Sequence, residues 1–219
     1  MKAFPFPNKT GSREELERDI LYKKIPDSDK DTICDKAWDT GVKAAEDIYG
    51  QFPEKSIIEI IKESGLKIER VNKDNVSGNI RFFSEYFSGP NKIVLYTASI
   101  RLWAKSNNMS ENEAERLILS HEYFHFLECN KIGLTSKKYM VPTLKIGSLI
   151  LLKSGVRALS EIGAHGFSRR FYELKGEISL DTKEDAKLMN QAMNLVQLEG
   201  KKTVDKIYKN SLLGKMMSN

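Results

Sequence analysis

The chain has only two cysteines and three histidines in 219 residues, and it lacks any apolar run long enough to span a bilayer. Cys34 and Cys129 lie far apart and match no zinc-ribbon or redox spacing, which argues against a cysteine-built metal framework. Free thiols in a reducing compartment are the expectation. Residues 1–11 contain no apolar core of the secretory type. The most apolar stretch, Met140 to Leu152, is interrupted by Pro142 and Lys145 and reads as a buried segment. Neither sign of charge dominates: 35 Lys and Arg interleave with 30 Asp and Glu, for a net charge of +5. That pattern describes a solvated surface rather than a nucleic-acid footprint. Internal repeats, low-complexity tracts and a helix-turn-helix signature are also missing. These absences predict a cytoplasmic protein with no membrane partner and no direct nucleic-acid binding.

What remains is an ordinary globular composition, 40% hydrophobic and 30% charged. Residues 1–32, with Pro5, Pro7, Gly11 and Pro26, read as a peripheral N-terminal arm. From Asp31, Ile33, Ala37, Trp38, Val42, Ala45, Ile48 and Tyr49 recur at helical spacing until Gly50 and Pro53. Lys55 to Ser64 predicts a second helix, ended by Gly65. Leu66–Val71, Gly78–Phe87 and Lys92–Thr97 alternate or are rich in β-branched and aromatic residues, which predicts a small antiparallel sheet. Ser88-Gly89-Pro90-Asn91 supplies a turn between the last two. Beyond the sheet the chain reads as helical to its end: Ala98–Lys105, a helix opened by Ser110 and Glu113 at capping-box spacing, another over Val156–Leu174, and a last one from Lys183 to Lys209. The expected fold is α+β, mainly α, with a domain over residues 33–180 and a helical extension over 181–219.

The chemistry is concentrated in His121-Glu122-Tyr123-Phe124-His125, an HExxH pattern inside the capped helix. Positions i and i+4 share a helix face, so the two imidazoles can converge on one ion, and zinc suits nitrogen donors. Glu122 stands beside the ion, where its carboxylate can take a proton from activated water. An open catalytic zinc site normally has three protein ligands. Glu161 and His165, again i and i+4 on a later helix, are the polar groups available downstream, and Glu161 would complete a His-His-Glu set. Cys129 is one turn past His125, but three ligands along one straight helix are geometrically poor, so it reads as a buried thiol. Glu128 reads as a solvated charge at the helix end. Tyr123 and Tyr172 are candidates for stabilising an oxyanion, or are packing residues. The cluster Lys201, Lys202, Lys206 and Lys209 reads as a solvated helix face.

HExxH followed by E-x-x-A-x-x-F, here Glu161, Ala164 and Phe167, resembles the ImmA/IrrE-like metallopeptidases, over about residues 35–175. The resemblance implies a minimal zincin-like fold of gluzincin type, with an HExxH active-site helix. It implies Zn2+ held by His121, His125 and Glu161, with Glu122 as general base. It also implies hydrolysis of a protein or peptide substrate, with a transcriptional regulator as the precedent. The sequence departs at position 165, where the family has Asn or Asp. His165 could donate a hydrogen bond to a ligand, stabilise an oxyanion, or bind the metal itself. The last case closes the site and makes the protein a non-catalytic zinc-binding regulatory or partner-binding protein on a zincin scaffold. A helical interaction protein without metal is the third reading.

Overall fold

The computed structural model describes residues 4–78, 80–146 and 149–177. The expected Lys183–Lys209 helix and the 181–219 extension lie outside them. The described chain is α+β, with helices packed mainly on one another and a small sheet against α4 and α5.

Helix α1 (Ser12–Glu17) leads through a short 3-10 turn into α2 (Asp27–Gln51), followed by α3 (Ile57–Glu63). A capping box of Ser56 and Glu59 starts α3, and Gly65 at φ +70° ends it, where a side chain would be strained. Strands β1 (Lys67–Val71), β2 (Asn75–Ser77), β3 (Ile80–Phe82), β4 (Ser84–Phe87) and β5 (Lys92–Tyr96) follow. β2 and β3 form a separate antiparallel pair, whereas β1, β5 and β4 form one sheet in that order. β4 and β5 are antiparallel across the turn expected at residues 88–91. β1 and β5 are parallel, which corrects the expectation of an antiparallel sheet. The excursion through β2, β3 and β4 returns the chain to the far side of β5, and alternation within single strands carries no sign of that return.

Helices α4 (Thr97–Ser106) and α5 (Glu111–Leu127) follow the sheet, and α5 opens on the predicted capping box of Ser110 and Glu113. A π-helical turn (Glu128–Ile132) extends α5 to Gly133. The chain then forms a hairpin of β6 (Met140–Ile146) and β7 (Leu149–Gly155) before α6 (Ala158–Leu174). The hairpin corrects two expectations, a helical chain to the end and a buried Met140–Leu152. Leu144 and Leu149 to Leu152 are exposed, because among the described residues β7 pairs with β6 alone.

Helix α6 packs between α2 and α5, and glycines set the closeness. A Cβ on Gly41 would collide with the carbonyl oxygen of Gly163, and one on Gly166 would lie 2.6 Å from that of Trp38. On the other side of α6, a Cβ on Gly163 would lie 2.7 Å from the Phe124 ring of α5. These contacts fix where α6 presents its polar residues to α5.

The N-terminal arm is not peripheral. Phe4 and Leu16 are buried, and Leu16, Leu21 and Ile25 join Trp38, Val156 and Ile162 in one apolar cluster. Asp19 accepts a hydrogen bond from Ala158 N at the first turn of α6, where a carboxylate also favours the helix dipole. The arm's apolar residues are spaced irregularly, so no periodicity marks them as core.

Candidate metal centre

Leu117, Ile118, Tyr123, Phe124 and Leu127 anchor α5 in the core, and its remaining face turns His121 and His125 towards α6. His121 Nε2 and His125 Nε2 lie 3.2 Å apart. Glu161 from α6 meets them, with Oε2 3.1 Å from His121 Nε2 and Oε1 3.6 Å from His125 Nε2. Among the described residues these three form the group that could hold a metal ion. A tetrahedral zinc with bonds of about 2.0–2.1 Å has ligand-to-ligand edges of roughly 3.3–3.4 Å. The observed separations bracket that edge, and the two-imidazole, one-carboxylate donor set suits zinc. The residues present therefore fit the ion.

The electrostatics agree with a cation site. Burial opposes charge on Glu161, yet the His121 hydrogen bond and the nearby imidazoles outweigh it and hold the carboxyl far below its usual range. Burial likewise pulls His125 down. The hydrogen bond to Glu128 and the charges of Glu161 and Glu122 prevail, so its pKa in the metal-free protein rises to about 9.

Glu128 is the main residue misread in the sequence. It is 2% exposed, not a solvated charge. Its Oε2 accepts from His125 Nδ1 at 3.0 Å, and its Oε1 accepts from Thr135 N at 2.7 Å and Ser160 Oγ at 2.9 Å. Burial raises its pKa, but these bonds to the charged form win and the pKa is lowered. Because a carboxylate only accepts, Nδ1 of His125 must carry the proton, which leaves Nε2 with a lone pair for the metal. The signal was present: Glu128 is three residues after His125, on the same helix face.

Glu122 is also buried, and its Oε1 accepts a 2.6 Å hydrogen bond from Ser84 Oγ on β4. Ser84 lies 38 residues upstream and has no local signature. Tyr86, two residues on and therefore on the same strand face, lines the cleft beside Glu122. The cleft, about 290 Å³, is also bounded by His125, Cys129, Ser136, Arg157, Ser160 and Glu161. Cys129 is exposed, which corrects the buried thiol expected there, and both cysteines are free.

His165 is buried behind His121, with ring centroids 5.2 Å apart. Phe6 of the arm stacks on His165 at 5.3 Å and lies 5.5 Å from His121, so the three rings form one cluster, and Phe6 also stacks on Trp103. Nδ1 of both His121 and His165 is buried without a hydrogen-bond partner. Burial and the adjacent His121 push the His165 pKa down to about 3, so its ring is neutral. It is not one of the converging donors. Tyr172 packs against Phe4 and Phe171, does not line the cleft, and is pushed up in pKa by burial. Tyr123 is buried with its hydroxyl on Ser64 Oγ at 2.9 Å. Neither tyrosine reaches the cleft. Burial, together with the charge of Glu161, raises the pKa of Glu15 on α1, a helix that packs on α6. Compared with protein-family models, curated proteins and solved structures, the chain matches none.

Proposed function

We propose that the chain is a zinc-dependent metallopeptidase of the ImmA/IrrE-like type, with a minimal zincin-like fold, hydrolysing a peptide bond in a protein or peptide substrate. The observation that carries this reading is the convergence of His121, His125 and Glu161 at tetrahedral-edge distances, with His125, Glu161 and Glu122 lining one open cleft. Zinc bound there would supply a Lewis acid for the scissile carbonyl and for water.

The chain's own residues account for the rest. Ser84 Oγ donates to Glu122 Oε1 and fixes the carboxylate, leaving Oε2 to take a proton from the attacking water. The same oxygen can pass that proton to the leaving amine. Glu128 keeps His125 in the tautomer that offers Nε2. Phe6 and neutral His165 form the dry wall behind His121. β4 is an edge strand, so an extended peptide can add to it and pass Glu122. Coordination by His165, which would close the site, requires its ring to leave the place it occupies behind His121. The family resemblance makes a transcriptional regulator in the cytoplasm the first substrate to try.

Metal analysis of the purified chain tests the reading. About one zinc per chain is expected. A chain that holds less than about a tenth of an equivalent and takes up none on addition refutes it. Glu122→Gln should retain zinc and lose hydrolysis of a quenched peptide library by about 10²–10⁴-fold. Unchanged cleavage by that variant removes Glu122 from the mechanism.

A further inference from the structure

The β6–β7 hairpin is the least explained surface of the molecule. Leu149, Ile150, Leu151 and Leu152 are consecutive, so they point alternately to both faces of the ribbon, and each is 42–62% exposed. Leu144, paired with Leu152, is 50% exposed. Soluble surfaces rarely keep so many contiguous large apolar residues in water.

The segment's own charge is one-sided, although Asp29 of α2 accepts from Tyr139 where the hairpin begins. Between Glu128 and Glu161 the sequence contains no Asp or Glu, but it holds Lys131, Lys137, Lys138, Lys145, Lys153 and Arg157. Lys137 precedes β6 and Lys153 pairs with Pro142 at the stem, so two cations flank the base, while the outer part holds the leucines with Lys145 in register opposite Ile150. Lys24 adds a bond to Thr143 O.

We propose that this hairpin docks the protein on an anionic lipid surface. Two observations select that occupant. An apolar ribbon exposed on both faces suits a medium that surrounds it, whereas a protein groove covers one face. The lysines at its stem would meet acidic headgroups at the depth where the leucines enter the acyl boundary. A second copy would bring the same lysines against their counterparts, and protein interfaces are depleted in lysine. The outer edges of the hairpin carry unpaired backbone groups, which limits insertion to the interface and excludes spanning. The stem abuts the cleft: a Cβ on Gly155 would collide with the carbonyl oxygen of Ser136, which lines it. Docking would therefore hold the cleft close to the lipid. The inference does not depend on metal binding or hydrolysis.

Sedimentation of the full chain with vesicles tests it, comparing phosphatidylcholine alone with phosphatidylcholine containing about a third phosphatidylglycerol. The mixed vesicles should bind at least about tenfold more tightly. The L151S/L152S variant should lose about tenfold or more, and K137Q/K153Q a similar factor, with thermal stability and zinc content unchanged. Leu151→Trp should emit as a water-exposed indole alone and shift to the blue on mixed vesicles. Several results overturn the proposal: no binding to either vesicle, binding indifferent to L151S/L152S, or an already blue-shifted Trp, which would mean that another part of the chain covers the hairpin. A dimer in sedimentation velocity that L151S/L152S dissolves would assign the face to a second copy instead.

Discussion

Replacing Glu128 with Gln separates metal affinity from folding better than any change to a ligand. Thr135 N and Ser160 Oγ both donate to Oε1, while His125 Nδ1 uses Oε2 alone. A glutamine that places its oxygen at the Oε1 position keeps the first two bonds. Its NH2 then faces the Nδ1–H of His125, donor against donor. Relief comes if His125 moves its proton to Nε2, which removes the lone pair that zinc needs. The structure thus converts a one-atom change on the far side of the His125 ring from the candidate metal position into a tautomer penalty. Losing such a ligand-orienting carboxylate costs about 10–100-fold in metal affinity, or roughly 1.4–2.8 kcal/mol at about 1.4 kcal/mol per tenfold.

Competition with a chromophoric zinc chelator at fixed pH reads that loss directly, and metal-free thermal unfolding checks the fold. Stability should fall only modestly, because two of the three buried bonds survive. Glu128→Ala is the contrasting case: it strands His125 Nδ1, Thr135 N and Ser160 Oγ, at about 1–3 kcal/mol for each buried unpartnered group. An E128Q protein that binds zinc as tightly as wild type while folded would refute the tautomer argument.

Two further outcomes follow from the same contacts. Gly41→Ala drives a methyl into the Gly163 carbonyl oxygen, so α2 and α6 must separate. A loss of about 2 kcal/mol or more is expected, read as a Tm lower by roughly 4–8 °C in a chain of this size; an unchanged Tm would show that the helices can part freely. The metal-free protein should also be destabilised at both ends of the pH scale. His125 binds its proton more tightly folded than unfolded, so its contribution is complete below about 6.5 and fades as pH rises through about 9. His165 behaves oppositely: its folded pKa near 3 means stability present above about 6.5 and lost as pH falls below it. Removing the second imidazole with His165→Phe should flatten the acid limb of a Tm-against-pH curve, and a limb left unchanged would assign acid loss to other groups.

The parts of the fold and site that could be read from the sequence are those written within one or two helical turns. Ser110 and Glu113 announced the start of α5, and the same spacing rule gave the shared face of His121 and His125. Glu161 was within reach because it, too, sits in a recognisable helix. Ser84 and Phe6 were not. Each reaches the site across many residues of chain, and neither a serine in a short strand nor a phenylalanine between prolines has a local pattern that distinguishes it. The parallel pairing of β1 with β5 was hidden for the same reason, since strand alternation is identical in either direction.

The misreading of Met140–Leu152 is a different kind of failure. Apolar content does not by itself bury a segment: burial also needs a partner element, and among the described residues β7 finds only β6. A run such as Leu149 to Leu152, apolar at consecutive positions, cannot be half-solvated in the way an alternating strand is. It must be enclosed on both sides or exposed on both. In this structure it is exposed, and the chain around it has no acidic side chain from residue 129 to residue 160. One segment thus combines unsatisfied apolar area with uncompensated positive charge, next to a cleft whose own carboxylates, Glu122, Glu128 and Glu161, are gathered around the candidate metal position. Around the cleft and the hairpin, though not over the whole surface, the two signs of charge lie apart. These three acids sit where a cation would neutralise them, and the lysines of the hairpin segment lie outside, where an anionic surface would.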